Sequence, residues 1–415
     1  MDHPLLAAQK SPATLTSPLS QGAAFFLLAS ITVSFLAGSS APTPLYPTYM
    51  AEWGLSTLTI TIIFGIYAVA VLLSLLVAGR ISDHIGRRPV LLVATAAQAL
   101  AMLLFGTADG ASGLLAARVV QGLAAGAALA AVGAGMLDLD KTRGAVANAV
   151  APPFGTALGG IAAGVLVQYL PMPTHLVYEV FGALFVLQAV GLLLMQETIS
   201  PRPGALRSLK PRFNLPRATR EPLLLALPVL VAVWALGGFY ASLAPVLVRS
   251  MLGSNSPLLG GLALFVLAGA GGAAILTLQH WEPRRIMTFG TASLLAGVAL
   301  TVACLPANSI EAFLLGTAVA GIGFGSGFQG AIRTVVPHAA PHERAGTLSI
   351  IFIVSYVSLG VPAVIAGYII ARHGNILATS QLFGAVVMAL AASALLASVL
   401  RTMTKRSPSP VRDVA

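Results

Sequence analysis

The chain has 415 residues, of which 57% are hydrophobic and only 9% carry a charge. Soluble domains are about 45–50% apolar and about 25% charged, so this composition excludes a water-soluble enzyme and indicates an integral membrane protein. The formal net charge of +10 raises the question of a nucleic-acid partner, which the position of the basic residues answers below.

Twelve apolar runs long enough to cross a bilayer follow one another along the chain. One spanning helix needs about 20 apolar residues. The runs are continuous and lack the short alternating pattern of a transmembrane β-barrel. We therefore predict an all-α membrane protein. The predicted spans lie near residues 22–45, 57–79, 89–107, 112–136, 145–170, 175–196, 222–248, 258–279, 286–305, 310–332, 346–371 and 377–400.

Lysine and arginine residues fall almost entirely on one side of this predicted topology. With a cytoplasmic N-terminal tail (residues 1–21), every basic residue except Arg118, Arg249 and Arg372 lies in a cytoplasmic loop or tail. This asymmetry is the positive-inside rule. We therefore predict cytoplasmic termini in a cell inner membrane, and no nucleic-acid partner.

A polar stretch rich in proline and basic residues divides the spans into two groups of six. An offset of 201 residues superposes Arg143 on Arg344 and several glycines on one another, which indicates an internal repeat. Repeated halves around a central site are common in secondary transporters. The predicted parts are an N-terminal bundle (22–196), a cytoplasmic linker (197–221), a C-terminal bundle (222–400) and a cytoplasmic tail (401–415).

The loop between the second and third spans carries the most specific motif. Residues 79–89, GRISDHIGRRP, fit the pattern G-x-x-x-D-x-x-G-R-R/K. Glycines allow a short loop to reverse tightly between two helices. An aspartate beside arginines can form ion pairs or approach the positive N-terminus of another helix.

With this loop, twelve spans and a basic central linker, the whole chain resembles the major facilitator superfamily, whose signature loop is motif A. The resemblance implies two pseudo-symmetric six-helix bundles and a conformational latch. Asp83 is expected to meet the start of the eleventh span, near residues 344–347. Arg87 is expected to pair with an acid at the end of the fourth span, where a solvated loop edge is the alternative role. The latch residues are Gly79, Asp83, Gly86, Arg87, Arg88, Asp138 and Asp140.

The fourth span contains an arginine in the sequence Arg-x-x-Gln-Gly. An arginine in a bilayer costs at least about 2.5–3.5 kcal/mol unless it faces a partner or water. In proton-coupled members of the family, the matching arginine tunes a protonatable partner or contacts substrate, which makes Arg118 and Gln121 candidates. The nearest intramembrane carboxylate is Glu179, for which an outer-interface position in contact with water is the alternative. Snorkelling to the interface is the alternative for Arg118.

The fifth span resembles the antiporter motif (motif C) of the family, Gly-Pro-x-x-Gly-Gly. The candidate residues are Pro152, Gly155, Gly159 and Gly160, with Thr156 in the place of the motif's proline. Small residues at four-residue spacing also allow ordinary close packing of helices, which is the alternative explanation.

In this family the first, fourth, seventh and tenth helices line most of the central cavity. Aromatic walls with a few polar groups suit a moderately hydrophobic organic molecule. Besides Arg118 and Gln121, the candidates on these helices are Tyr46, Trp234, Phe239, Tyr240, Phe324 and Gln329.

The predicted function is secondary active transport: proton-coupled efflux of small organic molecules, drug-like compounds or sugars, by a monomer in the lipid bilayer. The alternatives are a facilitator or proton symporter for uptake and, from another class, a non-transporting sensor. All seven histidines fall in loops, tails or span edges, which disfavours an enzyme or a metal site. A phosphate-binding Gly-x-x-x-x-Gly-Lys-Ser/Thr motif is missing from the sequence, so no nucleotide or other cofactor is expected.

Overall fold

The computed structural model describes residues 19–210, 215–253 and 256–406. Most of the predicted N-terminal tail (residues 1–18), residues 211–214 of the predicted linker and the last part of the predicted C-terminal tail (residues 407–415) lie outside the described residues.

Within the described residues, twelve helices are long and apolar enough to cross a membrane. This confirms the prediction of an all-α protein with twelve spans. The helices are α1 (Gln21–Ser40), α2 (Thr57–Ala78), α3 (Arg87–Gly106), α4 (Ala111–Leu139), α5 (Lys141–Tyr169), α6 (Leu176–Leu194), α7 (Arg217–Ser242), α8 (Pro257–Thr277), α9 (Pro283–Cys304), α10 (Ile310–Val335), α11 (Arg344–His373) and α12 (Ile376–Arg406).

Several helices begin at a serine that satisfies a free backbone N–H. The side chains of Ser20, Ser56, Ser256 and Ser309 each accept a hydrogen bond from the backbone N–H three residues later. These caps start α1, α2, α8 and α10, and an N-cap of this type contributes about 1 kcal/mol. The local sequence therefore sets where these spans begin.

The helices form two bundles, each with its own apolar core. The buried residues of one core all lie between residues 24 and 195, and those of the other between residues 223 and 394. This confirms the predicted pair of six-helix bundles. Large apolar side chains such as Phe26 and Val93 are more than 70% exposed on the outside of the first bundle, where lipid would cover them.

Two helix pairs form the most extensive contacts between the bundles, α5 with α8 and α2 with α11. Because the number of spans is even, the first and last spans begin and end on the same side of the molecule. We call this side, with the start of α1 and the end of α12, the terminal face, and the other side the opposite face.

Candidate functional site

A cavity of about 640 Å³ lies between the bundles. Its walls come from α1, α2 and α5 of the first bundle and α7, α8, α10 and α11 of the second. It extends from Ser40 and Ala241 to Val146, Gln279 and Arg333, which lie at the ends of their helices on the terminal face. The volume and the mainly apolar walls suit a small organic molecule.

Hydrogen bonds between the bundles close the cavity toward the opposite face. The hydroxyl of Thr43 donates to the backbone carbonyl of Ala241 at 2.8 Å, and Arg249 donates to the carbonyl of Pro47 at 2.9 Å. Both bonds lie where the proline-rich segment after α1 meets the segment after α7, which continues as a short helix, Ala244–Leu252. The described conformation is therefore closed on the opposite face.

The glycines predicted as an antiporter-like motif bring α5 close to two neighbours. A Cβ on Gly159 would lie 2.2 Å from the carbonyl oxygen of Ala37 in α1, and one on Gly155 would lie 2.4 Å from that of Val33. A Cβ on Gly261 of α8 would lie 2.2 Å from the carbonyl oxygen of Gly160. One side of α5 is thus packed within its own bundle and the other side is packed against the second bundle.

Pro152, the proline among these candidate residues, lies in another part of α5. Pro152 lines the cavity together with Pro153 and Thr156, two turns of α5 closer to the terminal face than Gly160. Helix α5 therefore contributes both to the cavity wall and to the interface between the bundles.

Arg118 is fully buried inside the first bundle, one layer behind the cavity wall. Its guanidinium donates to the backbone carbonyl of Ser39 at 2.8 Å, to Gln121 Oε1 at 2.7 Å and to the hydroxyl of Tyr46. The ring of Tyr67 lies 5.3 Å from its Cζ. Ser39 and Tyr67 both line the cavity, whereas the arginine does not.

The structure bears on two sequence-based readings of the surroundings of this arginine. Arg118 does not snorkel to the interface, which was the alternative reading of this residue. It is fully buried, donates to the Ser39 carbonyl, the Gln121 amide oxygen and the Tyr46 hydroxyl, and has aromatic rings packed around it, while its Nε has no hydrogen-bond partner among the described residues. Glu179 does not contact Arg118 in this structure, because it lies exposed in the first turn of α6. No carboxylate among the described residues forms an ion pair with Arg118.

The predicted cavity residues divide into two groups. Trp234, Phe324 and Gln329 line the cavity. Tyr46, Tyr240 and Phe239 do not, because they are buried within their own bundles: Tyr46 bonds to Arg118, the Tyr240 hydroxyl lies 2.7 Å from Thr317 Oγ1, and Phe239 packs on Phe383. Gln121 is likewise turned inward and donates to the carbonyl of Gly38 at 3.0 Å.

Several lining residues were missed because they lie on helices the family pattern had not singled out. α4 contributes no lining residue, while α2, α5, α8 and α11 do. The aromatic and amide residues added in this way are Phe64, Tyr67, Asn148 and Tyr356, and two more lining residues on α10 are Phe328 and Arg333. Tyrosine and asparagine within otherwise apolar spans were the available sequence signal.

The motif A loop is organised around Arg87, whose side chain is only 8% exposed. Its guanidinium pairs with Asp83, with Asp138 at 3.2 Å and with the hydroxyl of Ser82 at 2.8 Å. Glu197, which the sequence analysis did not single out, accepts the backbone N–H groups of Arg87 and Arg88 at 2.8 and 3.0 Å. The loop is therefore held to the ends of α4 and α6, all in the first bundle.

The other predicted latch residues have local roles. Asp140 caps α5 by accepting from the N–H groups of Thr142 and Arg143 at 2.9 Å. Gly86 has a φ of +106°, which favours glycine, whereas Gly79 has an ordinary helical φ of −57°. The Asp83 carboxylate is 51% exposed, and its described partner is Arg87 instead of the start of α11.

Comparison with known proteins identifies a family and two relatives that are similar to this chain. The Major Facilitator Superfamily profile matches residues 28–360. The multidrug resistance protein MdtL of Klebsiella pneumoniae subsp. pneumoniae is 27% identical over 303 residues, which cover 68% of this chain and 72% of that relative. A second Klebsiella pneumoniae MdtL is 26% identical over the same shares.

Solved structures share the fold at low sequence identity. A bacterial homolog of the human lysosomal transporter Spinster, in an inward-facing and unoccupied conformation, has a TM-score of 0.75 at 16% identity, covering 95% of this chain and 100% of that one. The human organic anion transporter MFSD10 has a TM-score of 0.66 at 14% identity, covering 91% and 100%. The nucleoside transporter NupG has a TM-score of 0.68 at 10% identity, covering 90% and 99%.

With twelve spans among its described residues, two bundles with a cavity between them and a family match over most of its length, this chain belongs to the major facilitator superfamily and is a multi-pass membrane transporter, not an enzyme.

Proposed function

We propose that this protein exports small organic molecules from the cytoplasm by alternating access, in exchange for protons. The observation that carries the proposal is the cavity of about 640 Å³ between the bundles, which reaches the terminal face and is closed at the opposite face. An exporter loads its substrate from the cytoplasm, and this conformation has the geometry of that step.

The orientation in the membrane comes from the basic residues. Those on the terminal face include Arg80, Arg87, Arg88, Arg284 and Arg285, and the positive-inside rule places such a face in the cytoplasm. The similarity to a multidrug resistance protein favours export and a bacterial inner membrane. Since the cavity is complete within one chain, we propose a monomer.

The motif A loop is proposed as the latch of the other conformation. In the described state Asp83 is half exposed at the terminal face and is held there by Arg87. When the terminal face closes, the N-terminus of α11 would approach this carboxylate, and the positive end of a helix stabilises a negative charge. Arg87 and Asp138 would hold the loop in place in both conformations.

The test of this function compares cells with and without the gene on a panel of toxic organic compounds. Expression should raise resistance, and Asp83→Asn should abolish the gain while leaving the amount of protein in the membrane unchanged. Asp109→Asn is the matched control, because Asp109 is exposed in the loop before α4. Sensitisation by the wild-type gene would contradict export and indicate uptake.

One observation favours a facilitator as the second candidate. None of the described residues that line the cavity is an aspartate or glutamate, and buried carboxylates are the usual coupling groups of proton-driven transporters. Flux into vesicles that is the same with and without a protonophore would favour the facilitator. Flux that collapses with the pH gradient would support proton exchange.

A further inference from the structure

The charged residues at the cavity wall are few and positive. Among the described residues that line it, Arg333 is the one formally charged side chain, and it lies at the terminal-face end. Its guanidinium donates to the backbone carbonyls of Gln279 and Trp281, both at 2.9 Å. Carbonyl oxygens satisfy its N–H groups without cancelling its charge, so the mouth of the cavity stays positive.

A second positive charge lies directly behind the wall. Arg118 is bonded to Ser39, which lines the cavity, and forms no ion pair with a described carboxylate. Water would screen such a charge strongly, whereas in an apolar interior it acts over a longer distance. Two guanidinium groups without an ion-pair partner among the described residues therefore lie at or behind the cavity wall, and none of the described lining residues is a carboxylate.

Two polar atoms in the wall have no hydrogen-bond partner among the described residues. These are the indole Nε1 of Trp234 on α7 and the amide Oε1 of Gln329 on α10, both of which are buried. An unpaired buried donor or acceptor costs about 1–3 kcal/mol, which a ligand with the complementary group would recover. Both residues line the cavity, so a ligand that reaches these atoms would find one unpaired donor and one unpaired acceptor.

The rings around this pair form an aromatic surface. The ring centroid of Trp234 lies 5.3 Å from that of Phe328 and 5.2 Å from that of Tyr356. Phe324 and Tyr67 also line the cavity. Such a surface favours a flat aromatic ligand.

We propose that the cavity selects an aromatic compound without positive charge, which accepts a hydrogen bond from Trp234 Nε1 and donates one to Gln329 Oε1. This inference rests on the proposed function in taking the cavity as the substrate site. Organic cations are excluded because they would meet two guanidinium charges without a carboxylate to stabilise them.

The test measures binding at equilibrium, independently of transport. Three radiolabelled probes share the naphthalene ring system and differ in charge: 1-naphthaleneacetamide, 1-naphthaleneacetate and 1-naphthylmethyltrimethylammonium. Full-length protein in detergent is dialysed against each probe, with protein-free micelles as the blank. We expect the amide to bind through both contacts and the acetate, which has no donor for Gln329 Oε1, to bind through its negative charge and the bond from Trp234 Nε1. The ammonium compound should bind at least tenfold more weakly than either.

Two variants test the proposed contacts. Trp234→Phe keeps the ring and removes the donor, so amide binding should weaken about tenfold, the usual effect of one hydrogen bond. Trp281→Phe is the matched control, because this tryptophan lies outside the cavity lining and is 44% exposed; it should bind the amide like the wild type.

The variant Gln329→Glu should reverse the preference of the cavity for the charge of its ligand. It tests the proposal through a gain of affinity for the ammonium compound instead of a loss of affinity. The new carboxylate lies one helical turn before Arg333, so it offsets the positive charge of the cavity. Binding of the ammonium compound should rise at least tenfold and that of the acetate should fall. Thermal unfolding of each purified variant verifies that it is folded.

Three results would overturn the inference: wild-type protein that binds the ammonium compound as tightly as the amide, wild-type protein that binds neither the amide nor the acetate, or Trp234→Phe with unchanged amide affinity. Because no transport is measured, a protein that binds the amide but confers no resistance would contradict only the proposed export.

Discussion

The bundle interface at Gly261 offers a direct test of the alternating movement. Gly261→Ala would place a Cβ 2.2 Å from the carbonyl oxygen of Gly160, whereas ordinary contacts of a Cβ begin near 3.4 Å. The two backbones would have to separate by roughly 1 Å, and overpacking of this kind costs about 1–3 kcal/mol. The penalty applies only while the opposite face is closed, since α5 and α8 belong to different bundles.

This cost shifts the equilibrium from the conformation that is closed at the opposite face toward the one that is open to it. At about 1.4 kcal/mol per factor of ten, the population open to the opposite face should rise about 5- to 150-fold. The gain in helix propensity from glycine to alanine is present in both conformations and cancels.

The assay uses a cysteine reporter at Ser40, which lines the cavity and is 5% exposed. The protein's one cysteine, Cys304, is first replaced by serine. An impermeant thiol reagent added outside intact cells reaches the reporter only when the opposite face opens, so its labelling rate should rise by the same factor with Gly261→Ala.

Gly159→Ala is the matched control. Its Cβ would lie 2.2 Å from Ala37 within the first bundle, so the strain is present in both conformations. This variant should lower the unfolding temperature while labelling stays near the wild-type rate. An unchanged rate with Gly261→Ala, or an equal rise with Gly159→Ala, would refute the reasoning.

Three further predictions concern residues outside the α5–α8 contact. Arg87→Gln leaves the carboxylates of Asp83 and Asp138 close together without their guanidinium, so the amount of folded protein in the membrane should fall. Adding Asp138→Asn to this variant should restore part of that amount. Both effects are measured as the amount of folded protein recovered in detergent. Thr43→Val removes one bond between the bundles and should raise labelling of the same reporter about threefold to tenfold, and a rate equal to that of the wild type would contradict its role in closure. Glu179→Gln should leave pH-driven transport unchanged because this carboxylate is exposed and unconnected to Arg118; a lost pH response would restore it as the coupling group.

The sequence predicts the fold well because hydrophobic length and basic loops are properties of each segment by itself. Spans as regular as α2 and α8 follow from apolar composition and a serine cap. The pairing of Arg87 with an acid at the end of α4 could be anticipated from the motif and is present in the structure, although its role as a latch stays a prediction.

The cavity wall was harder to predict because it depends on the rotation of each helix about its axis. Tyr240 and Trp234 lie on the same helix six residues apart, yet Tyr240 turns into its bundle toward Thr317 and Trp234 faces the cavity. Apolar periodicity is weak in spans that lie between lipid and protein, so it does not distinguish these two directions. Glu197 was missed for a related reason: its role requires the fold to bring the end of α6 beside the start of α3.

Helix α5 presents three kinds of surface along a single rod: the ring of Pro152 and the side chain of Thr156 toward the cavity, Gly159 toward α1, and Gly160 toward α8. Thr156 and Gly160 are four residues apart, or about 6 Å along the axis. Because a helix is rigid over so short a distance, the part of α5 at the cavity wall and the part in contact with α8 would move together when the bundles change their relative position.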